Sequence, residues 1–337
     1  GPGEQGPLPY IGGIVQQAVI VSGARTPVGR FGGAFKDFSA SDLGGVAIKA
    51  ALERANIAPE DVDEVFIGNA LQSAESGYAA RLAGLKAGMP QEVPAIAINR
   101  QCSSGLEAIN IAAQLIATGE AEIIVAGGTE NMSQAPFAMP KVRWDGLKLG
   151  NQVIEDLLIN GLSCPVNRYH MGVTAENVAA RFEIGRADQD ELALLSHQRA
   201  VRAIEEGRFK EQIAPVTVPQ RRGDPIVVEQ DEHPRKDASL EHLASLSPAF
   251  KKGGTVTAGN ASGLNDAAAV VVLMSEAKAR EMGIAPKLAY RARAVAGVEP
   301  AIMGTGPVPA VRKVLAKTGM ALGDIDLIEL NEAFAAQ

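Results

Sequence analysis

Cys102 lies in a segment whose residues suit nucleophilic catalysis by a thiol. The run Ala97-Ile98-Asn99-Arg100-Gln101-Cys102-Ser103-Ser104-Gly105-Leu106 places it between an apolar strand and the first turn of an apolar helix. Unpaired N–H groups at a helix start favour a thiolate and can stabilise an oxyanion. Ser103, Ser104 and Gly105 are small, so an acyl group can approach the backbone. The spacing also leaves a second interpretation open, in which a buried cysteine simply packs this junction.

Cysteine is rare in this chain, with 2 residues in 337, Cys102 and Cys164. This scarcity indicates a reducing compartment and argues against a disulfide framework or a cysteine-based zinc site. We interpret Cys164, which precedes Pro165 in a loop, as structural. The sequence shows neither a cluster of metal ligands nor a phosphate-binding glycine loop followed by lysine, so we expect no metal and no resident cofactor.

The charge and hydropathy of the chain exclude other classes of protein. A net charge of −7 and a pI near 5.3 argue against a nucleic-acid binder. No apolar run approaches the roughly 20 residues that a membrane span requires, and residues 1–13 lack the order of a secretion signal. We therefore expect a cytoplasmic protein with no membrane contact. The start Gly1-Pro2 resembles a protease-cleavage scar, so residues 1–13 are interpreted as a disordered tag.

Strand-like and helix-like segments alternate along the first part of the chain. Strands are predicted at 17–22, 62–67, 95–99 and 123–126, with helices after Ser41 or Asp42 and over 106–117. Such alternation favours a mostly parallel sheet covered by helices on both faces. Residues 132–252 are polar and contain Trp144 and all four histidines, which indicates an inserted helical and loop-rich unit. Alternation resumes with strands at 270–274 and 287–295 and a helix at 309–317.

The chain also contains an internal repeat. Residues 47–70 align without gaps on residues 310–333, and the aligned pairs include Leu52 with Leu315, Asp61 with Asp324 and Ile67 with Leu330. Two copies of one helix-loop-strand unit are therefore predicted. The second copy lacks a counterpart of the Cys102 turn before the sequence ends at Gln337.

Four motifs, in order, resemble those of the thiolase family. They are Asn99-Arg100-Gln101-Cys102-Ser103-Ser104-Gly105-Leu106, Ala126-Gly127-Gly128-Thr129-Glu130-Asn131-Met132-Ser133, Gly259-Asn260-Ala261-Ser262-Gly263-Leu264-Asn265-Asp266 and Asn331-Glu332-Ala333-Phe334-Ala335. The resemblance implies an α/β fold of duplicated α/β/α layered halves with mixed sheets. It implies an N-terminal half over 14–132 to which 265–284 return, an inserted loop domain over 133–264 and an incomplete C-terminal half over 285–337.

The resemblance also implies roles for individual residues. Cys102 is the expected nucleophile, and Asn331 is expected to hold a water in the hole that binds an enolate oxygen; without the resemblance, Asn331 reads as a turn residue at a strand end. Ser262 is expected to offer its hydroxyl to the pantetheine amide, and Arg235 to reach a coenzyme A phosphate; a solvated surface charge is the alternative interpretation of Arg235. The other expected substrate-binding residues are His170, Met171, Phe250, Ala258, Met303, Ala333 and Phe334.

Two expected catalytic turns do not occur in this sequence. Thiolases use a histidine in a Gly-His-Pro turn and a second cysteine in a Cys-x-Gly turn, and His170, His197, His233 and His242 lie in no such turn. We expect the complete protein to continue for roughly 55 residues, as the repeat length indicates. A molecule that truly ends at Gln337 is expected to be a nearly inactive fragment that binds acyl-coenzyme A.

The implied activity is the reversible condensation of two acetyl-coenzyme A molecules to acetoacetyl-coenzyme A, through an acyl-Cys102 intermediate. A longer-chain 3-ketoacyl-coenzyme A thiolase of fatty-acid breakdown shares every motif and stays open as an alternative. A ketoacyl synthase fits less well, because its cysteine lies in a different setting. The family also implies a homodimer or homotetramer, with the inserted segment supplying the second contact.

Overall fold

The computed structural model describes residues 16–72, 75 and 77–337, so the predicted tag over 1–13 lies outside the described residues. Strands occur in chain order as β1 Ala18–Arg25, β2 Gly29–Arg30, β3 Glu64–Gly68, β4 Ala95–Ile98, β5 Ile123–Asn131, β6 Phe137–Ala138, β7 Glu155–Asp156, β8 Val216–Val218, β9 Ile226–Val228, β10 Asn265–Ser275 and β11 Leu288–Ala289.

The α-helices are α1 Ala40–Ala55, α2 Ala79–Lys86, α3 Ser104–Thr118, α4 Val142–Asp145, α5 Leu157–Gly161, α6 Met171–Arg181, α7 Arg186–Glu205, α8 Leu240–Ser245, α9 Glu276–Glu281 and α10 Pro307–Thr318. Short 3-10 helices cover Pro59–Asp61, Met132–Gln134, Pro300–Thr305 and Leu322–Asp324. None of the helices in the described ranges is both long and apolar enough to cross a bilayer.

The main sheet is mixed, as the resemblance implies. Its strand order is β11-β1-β10-β5-β3-β4, and β2 pairs with β10 at one end. β3 runs parallel to β4 and β5, whereas β10 runs antiparallel to both β1 and β5. The expectation of a mostly parallel sheet is therefore wrong. Helical crossovers produce the parallel pairs, but β10 enters the sheet from the polar segment in the opposite direction.

Helices cover the two faces of this sheet with different side chains. Leu43, Ile48 and Leu52 of α1 are fully buried against one face, together with α2. The other face carries α3, whose buried contacts are mostly small residues such as Ala108 and Ala112. Each fully buried leucine or isoleucine contributes about 2 kcal/mol. Because alanines line the buried side of α3, this helix lies close to the sheet and its start is held at the strand ends.

The cap of α1 differs from the sequence prediction. Ser39, rather than Ser41 or Asp42, precedes the first helical residue and accepts a hydrogen bond from the N–H of Asp42. The Asp42 carboxylate in turn accepts from the Ser39 N–H at 2.8 Å, which completes a capping box. The reciprocal pair satisfies two N–H groups that the helix itself leaves free.

The structure confirms the internal repeat in its helices. α1 ends before Asn56 and α10 ends before Gly319, and both capping residues adopt a left-handed conformation. The 3-10 helices Pro59–Asp61 and Leu322–Asp324 occupy the next corresponding positions.

The strands of the second half are much shorter than predicted. Only Leu288–Ala289 of the predicted strand over 287–295 is a strand, and residues 325–330 form none. These segments find no further partner among the described residues, and a strand needs a neighbour to satisfy its backbone groups.

The polar segment is built from helices α4 to α8, loops and two small hairpins, β6 with β7 and β8 with β9. Neither hairpin joins the main sheet. The boundaries that we assign to an inserted domain over 133–264, and to the two halves around it, remain predictions.

Candidate active site

Cys102 is solvent-exposed at the junction between β4 and α3. The preceding Gln101 adopts a left-handed conformation with φ of 49°, which is uncommon for a residue with a side chain. Within the described part of the chain, the N–H groups of Gly105 and Leu106 find no hydrogen-bond acceptor. An exposed sulfur beside free helix N–H groups is a suitable place for a thiolate or an oxyanion. The interpretation of Cys102 as a buried packing residue is wrong.

Polar side chains of the motif hold this turn in shape. The Asn99 Oδ1 accepts from the Gln101 N–H at 3.0 Å, and the Ser104 Oγ accepts from the Arg100 N–H at 2.8 Å. Behind the turn, Gly68 at the end of β3 lies directly against the backbone of Ser104 and Gly105, where an added Cβ would overlap both. The absence of a side chain at Gly68 therefore lets the helix start reach the strand ends.

Glu130 organises a second loop next to this turn. Its carboxylate accepts hydrogen bonds from the N–H groups of Ala70, at 2.8 Å, and Leu71, at 3.2 Å, and from the Asn69 side chain at 2.9 Å. Burial raises the pKa of Glu130 to about 7, although these hydrogen bonds oppose the rise. The Asn99 side chain donates to the carbonyl of Ala70 at 3.1 Å, so the loop and the nucleophile turn are linked.

A buried charge cluster lies one turn into α3. The Glu107 side chain is 5% exposed and pairs with the guanidinium groups of Arg293 and, at 3.5 Å, Arg100. Glu107 and Glu130 both lie inside or next to quoted motifs, yet sequence reasoning assigned them no role. The sequence does contain a signal for Glu107: a carboxylate directly follows the nucleophile motif in a mostly apolar helix, which indicates an acidic group near the site.

Aromatic and imidazole rings from three distant segments meet beside α6. His170 caps α6, its Nδ1 accepting from the Gly172 N–H at 3.0 Å, and its ring stacks on Phe250. Phe250 also meets Phe334 edge-on, with ring centroids 6.0 Å apart. Burial lowers the pKa of His170, which favours the neutral imidazole. The predicted substrate residues His170, Phe250 and Phe334 therefore form one cluster.

The third and fourth motifs lie against each other. The Ser262 N–H donates to the Ala333 carbonyl and the Ala335 N–H donates to the Asn260 carbonyl, each at 2.9 Å. Ala261 and Phe334 form an antiparallel bridge. The predicted residues Ser262, Ala333 and Phe334 are thus brought together by backbone pairing, and the exposed Ala258 lies just before them.

A cleft of about 960 Å³ opens beside these motifs. Asn331, Ser262, His197 and His233 line it, and Cys102 is not among its lining residues in the described ranges. Arg235 is exposed and follows the lining residue Pro234, and its backbone N–H donates to Nδ1 of the lining His197 at 3.2 Å. Burial lowers the pKa of both imidazoles, and the charge of Arg235 adds to the effect.

The remaining predicted positions lie around α6. Met171 is its first residue, and Met303, 37% exposed, lies in the 3-10 helix Pro300–Thr305. That 3-10 helix contacts α6 through a hydrogen bond of 2.9 Å from the Asn177 side chain to the Ala301 carbonyl. Cys164 is buried, and its sulfur accepts from the Asn167 N–H. Throughout the described residues, no group of three or more His, Cys, Asp or Glu side chains is arranged to hold a metal ion.

Comparison with known proteins identifies the family. The thiolase N-terminal domain model matches residues 18–277, and the thiolase C-terminal domain model matches residues 284–337. Acetyl-CoA acetyltransferase of Cupriavidus necator is 51% identical over 95% of this chain and 81% of its own length.

Solved structures share the fold as well as the sequence. The crystal structure of the Bacillus anthracis acetyl-CoA acetyltransferase has a TM-score of 0.93 at 47% identity, covering 96% of this chain and 82% of that one. Human mitochondrial 3-ketoacyl-CoA thiolase in complex with CoA has a TM-score of 0.90 at 44% identity, covering 96% of this chain and 81% of that one. The chain therefore belongs to the thiolase family.

Proposed function

We propose that this chain carries an acyl group on Cys102 and takes part in the reversible condensation of two acetyl-coenzyme A molecules to acetoacetyl-coenzyme A. The observation that carries the proposal is the exposed Cys102 just before α3, near the N–H groups of Gly105 and Leu106, for which the described residues provide no acceptor. Relatives named acetyl-CoA acetyltransferase, with 51% and 50% sequence identity to this chain, support acetyl-coenzyme A as the substrate.

The first half-reaction transfers an acetyl group to sulfur. The Cys102 thiolate attacks the thioester carbonyl carbon, a carbon–sulfur bond to Cys102 forms, and the bond to coenzyme A breaks as its thiolate leaves and takes up a proton. The helix N–H groups would stabilise the negative oxygen of the tetrahedral intermediate.

The second half-reaction forms the carbon–carbon bond. A base removes the α-proton of a second acetyl-coenzyme A, the resulting enolate carbon attacks the acyl carbon, and the Cys102 thiolate is released. Asn331 would hold the water that stabilises the enolate oxygen. None of the four histidines lies in a Gly-His-Pro turn, so we assign the proton transfers to no residue of this chain.

Coenzyme A recognition is proposed for the residues that the structure gathers near α6 and the cleft. The cluster of His170, Phe250 and Phe334 offers an apolar wall, and Ser262 and Arg235 offer a hydroxyl and a charge at exposed positions. Pantetheine is a thin, partly apolar arm with amide groups, and these side chains suit its chemistry. Ala258, Met171, Met303 and Ala333 complete the proposed set. A related human mitochondrial thiolase has been solved in complex with CoA, which supports coenzyme A as the ligand.

A longer-chain 3-ketoacyl-coenzyme A thiolase is the second candidate. The similarity to human mitochondrial 3-ketoacyl-CoA thiolase, with a TM-score of 0.91, favours it. Met303, which the family resemblance places near the acyl pocket, favours short chains. Kinetics with acetoacetyl and 3-ketohexadecanoyl thioesters distinguish the two. A short-chain enzyme is expected to prefer the first substrate in kcat/KM.

Labelling tests the proposed function directly. Treating the intact protein with acetyl-coenzyme A should release a burst of free thiol and leave an acetyl group on Cys102, which peptide mass spectrometry would locate. Cys102→Ser should abolish both signals, whereas Cys164→Ser, a change at the second cysteine, should retain them. A label on another residue would refute the proposal, and no label at all would favour a chain that only binds acyl-coenzyme A.

We further propose a cytoplasmic homodimer or homotetramer. Several large apolar side chains of the polar segment are exposed, including Trp144 at 88%, together with Leu147 and Val153. Exposed apolar groups in one segment are typical of surfaces that a partner covers. Sedimentation equilibrium of the intact protein and of Trp144→Ser tests this, because a tetramer that uses this segment should dissociate to dimers in the variant.

A further inference from the structure

The charge cluster behind the nucleophile turn has a role that the reaction itself does not explain. Glu107 is five residues after Cys102, on the first turn of α3, and its side chain is 5% exposed. Glu107 is three residues after Ser104, the first residue of α3, and a helix rises about 1.5 Å per residue, so its backbone lies roughly 5 Å along the axis from the helix start. An uncompensated carboxylate there would oppose a thiolate on Cys102.

Two arginines from different parts of the chain compensate this carboxylate. Arg293 belongs to the segment that follows β11, and it pairs with Glu107 Oε1 with only 26% of its own side chain exposed. Arg100 of the nucleophile motif approaches the same oxygen at 3.5 Å but is 48% exposed. Water screens Arg100 more strongly, so Arg293 provides most of the compensation.

The same cluster joins the segment that follows β11 to the nucleophile helix α3. The Tyr290 hydroxyl donates to Asn110 Oδ1 at 3.1 Å, one turn along α3 from Glu107. Asn110 in turn approaches the second Glu107 oxygen at 3.5 Å. The segment 290–293 is therefore held to α3 by two polar contacts, Tyr290 to Asn110 and Arg293 to Glu107.

We propose that Arg293 is a positioning residue for the Cys102 nucleophile: its guanidinium neutralises the buried Glu107 carboxylate and so keeps the start of α3 favourable for a thiolate. The inference rests on the proposed role of Cys102 as the acyl carrier. It identifies Arg293, which lies outside all four motifs, as a residue that sets the reactivity of the thiol without contacting substrate.

Thiol alkylation in the absence of substrate tests this role. The rate of iodoacetamide labelling at Cys102 is measured on the intact protein at about pH 7 by peptide mass spectrometry, with a neutral reagent so that charge steering plays no part. Arg293→Met should slow labelling by about tenfold, as expected for one uncompensated charge at this range in a partly screened site. Arg293→Lys should stay within about threefold of the parent rate. Arg291→Met, an exposed arginine in the same segment, is the matched control and should have no effect.

Charge rescue separates this role from simple structural support. Adding Glu107→Gln to Arg293→Met removes the carboxylate and should restore labelling to within about twofold of the parent rate. If the double variant is as slow as Arg293→Met while both remain folded by circular dichroism, or if Arg293→Met labels at the parent rate, the proposal is overturned.

If Arg293→Met does not fold, the single variant Glu107→Gln tests whether the Glu107 charge affects the reactivity of Cys102. This near-isosteric change leaves two positive groups near the thiol and should accelerate labelling by a fewfold; slower labelling would overturn the proposal. Because no acyl-coenzyme A is used, these outcomes are independent of whether Cys102 accepts an acetyl group.

Discussion

The imidazole of His170 stacks on the ring of Phe250, with 4.7 Å between ring centroids and 12° between ring planes. The two residues belong to segments far apart in the sequence, and Phe334 completes the group from the end of the chain. The cluster is therefore a product of the packing of α6 against the loops that flank it.

Phe250→Ala should weaken the binding of coenzyme A thioesters. The substitution removes the ring that both neighbours contact, and with it apolar surface whose burial against the pantetheine arm is worth about 1.5 kcal/mol. We expect KM to rise by roughly 10-fold while kcat changes little, which is the signature of lost binding shared by ground and transition states. Steady-state kinetics of the intact protein measure both values. Phe182→Ala, at an exposed ring 56% accessible, serves as the control. A fall in kcat at constant KM would contradict the assignment.

Arg235→Ala should affect only substrates that carry the nucleotide. If Arg235 contacts a phosphate of coenzyme A, its loss should raise KM by about fivefold, the order expected for an exposed charge pair. An N-acetylcysteamine thioester has no phosphate and should be turned over equally well by both proteins. Lys236→Ala changes the neighbouring charge, which already pairs with Glu205 at 2.9 Å, and should be neutral. Equal effects on both substrates would contradict phosphate recognition.

Glu130 should make stability depend on pH. Its pKa is about 7 in the folded protein, above the ordinary glutamate value of 4.5 that applies to the unfolded chain, so the folded chain holds the extra proton between these values. Stability contributed by this group is therefore fully present below about pH 4.5 and is lost as the pH rises through about 7, a change of about 3 kcal/mol.

Urea unfolding of the parent protein and of Glu130→Gln checks this sign. The free energy of unfolding of the parent, relative to the variant, should fall as the pH is raised from about 5 to about 8. Glu120→Gln, at an exposed turn, should follow the parent at every pH. A difference that grows with pH would show that hydrogen bonds from Ala70 and Leu71 outweigh the burial of the carboxylate.

Gly68→Ala should displace the start of α3. The new Cβ would overlap the backbone of Ser104 and Gly105, which cannot rotate away as a side chain can. We expect a loss of about 1–3 kcal/mol in stability and slower alkylation of Cys102, because the helix N–H groups move relative to the sulfur. Gly323→Ala provides the control, since nothing lies within 4 Å of a Cβ there. Unchanged alkylation in Gly68→Ala would contradict the role of this close approach.

The sequence by itself determined the parts of this protein that short stretches of residues encode. The strand and helix on either side of Cys102 follow from local apolar patterns, and the repeat aligns α1 with α10 because both copies keep the same helix and cap spacing. The four motifs indicated the family for the same reason. Each is a continuous run of residues, so it can be identified from the sequence without knowledge of the fold.

Only the tertiary structure decided which distant groups meet. Four features join residues that are far apart in the chain. They are the antiparallel pairing of β10 with β5, the stacking of His170 on Phe250, the hydrogen bond from the Ala70 N–H to Glu130, and the ion pair of Glu107 with Arg293. A local sequence pattern does not reveal that a carboxylate in a helix is buried, and it does not identify the residue that pairs with it. Tertiary packing determines that partner, because a buried charge is tolerated only where the fold brings an opposite charge or hydrogen-bond donors to it.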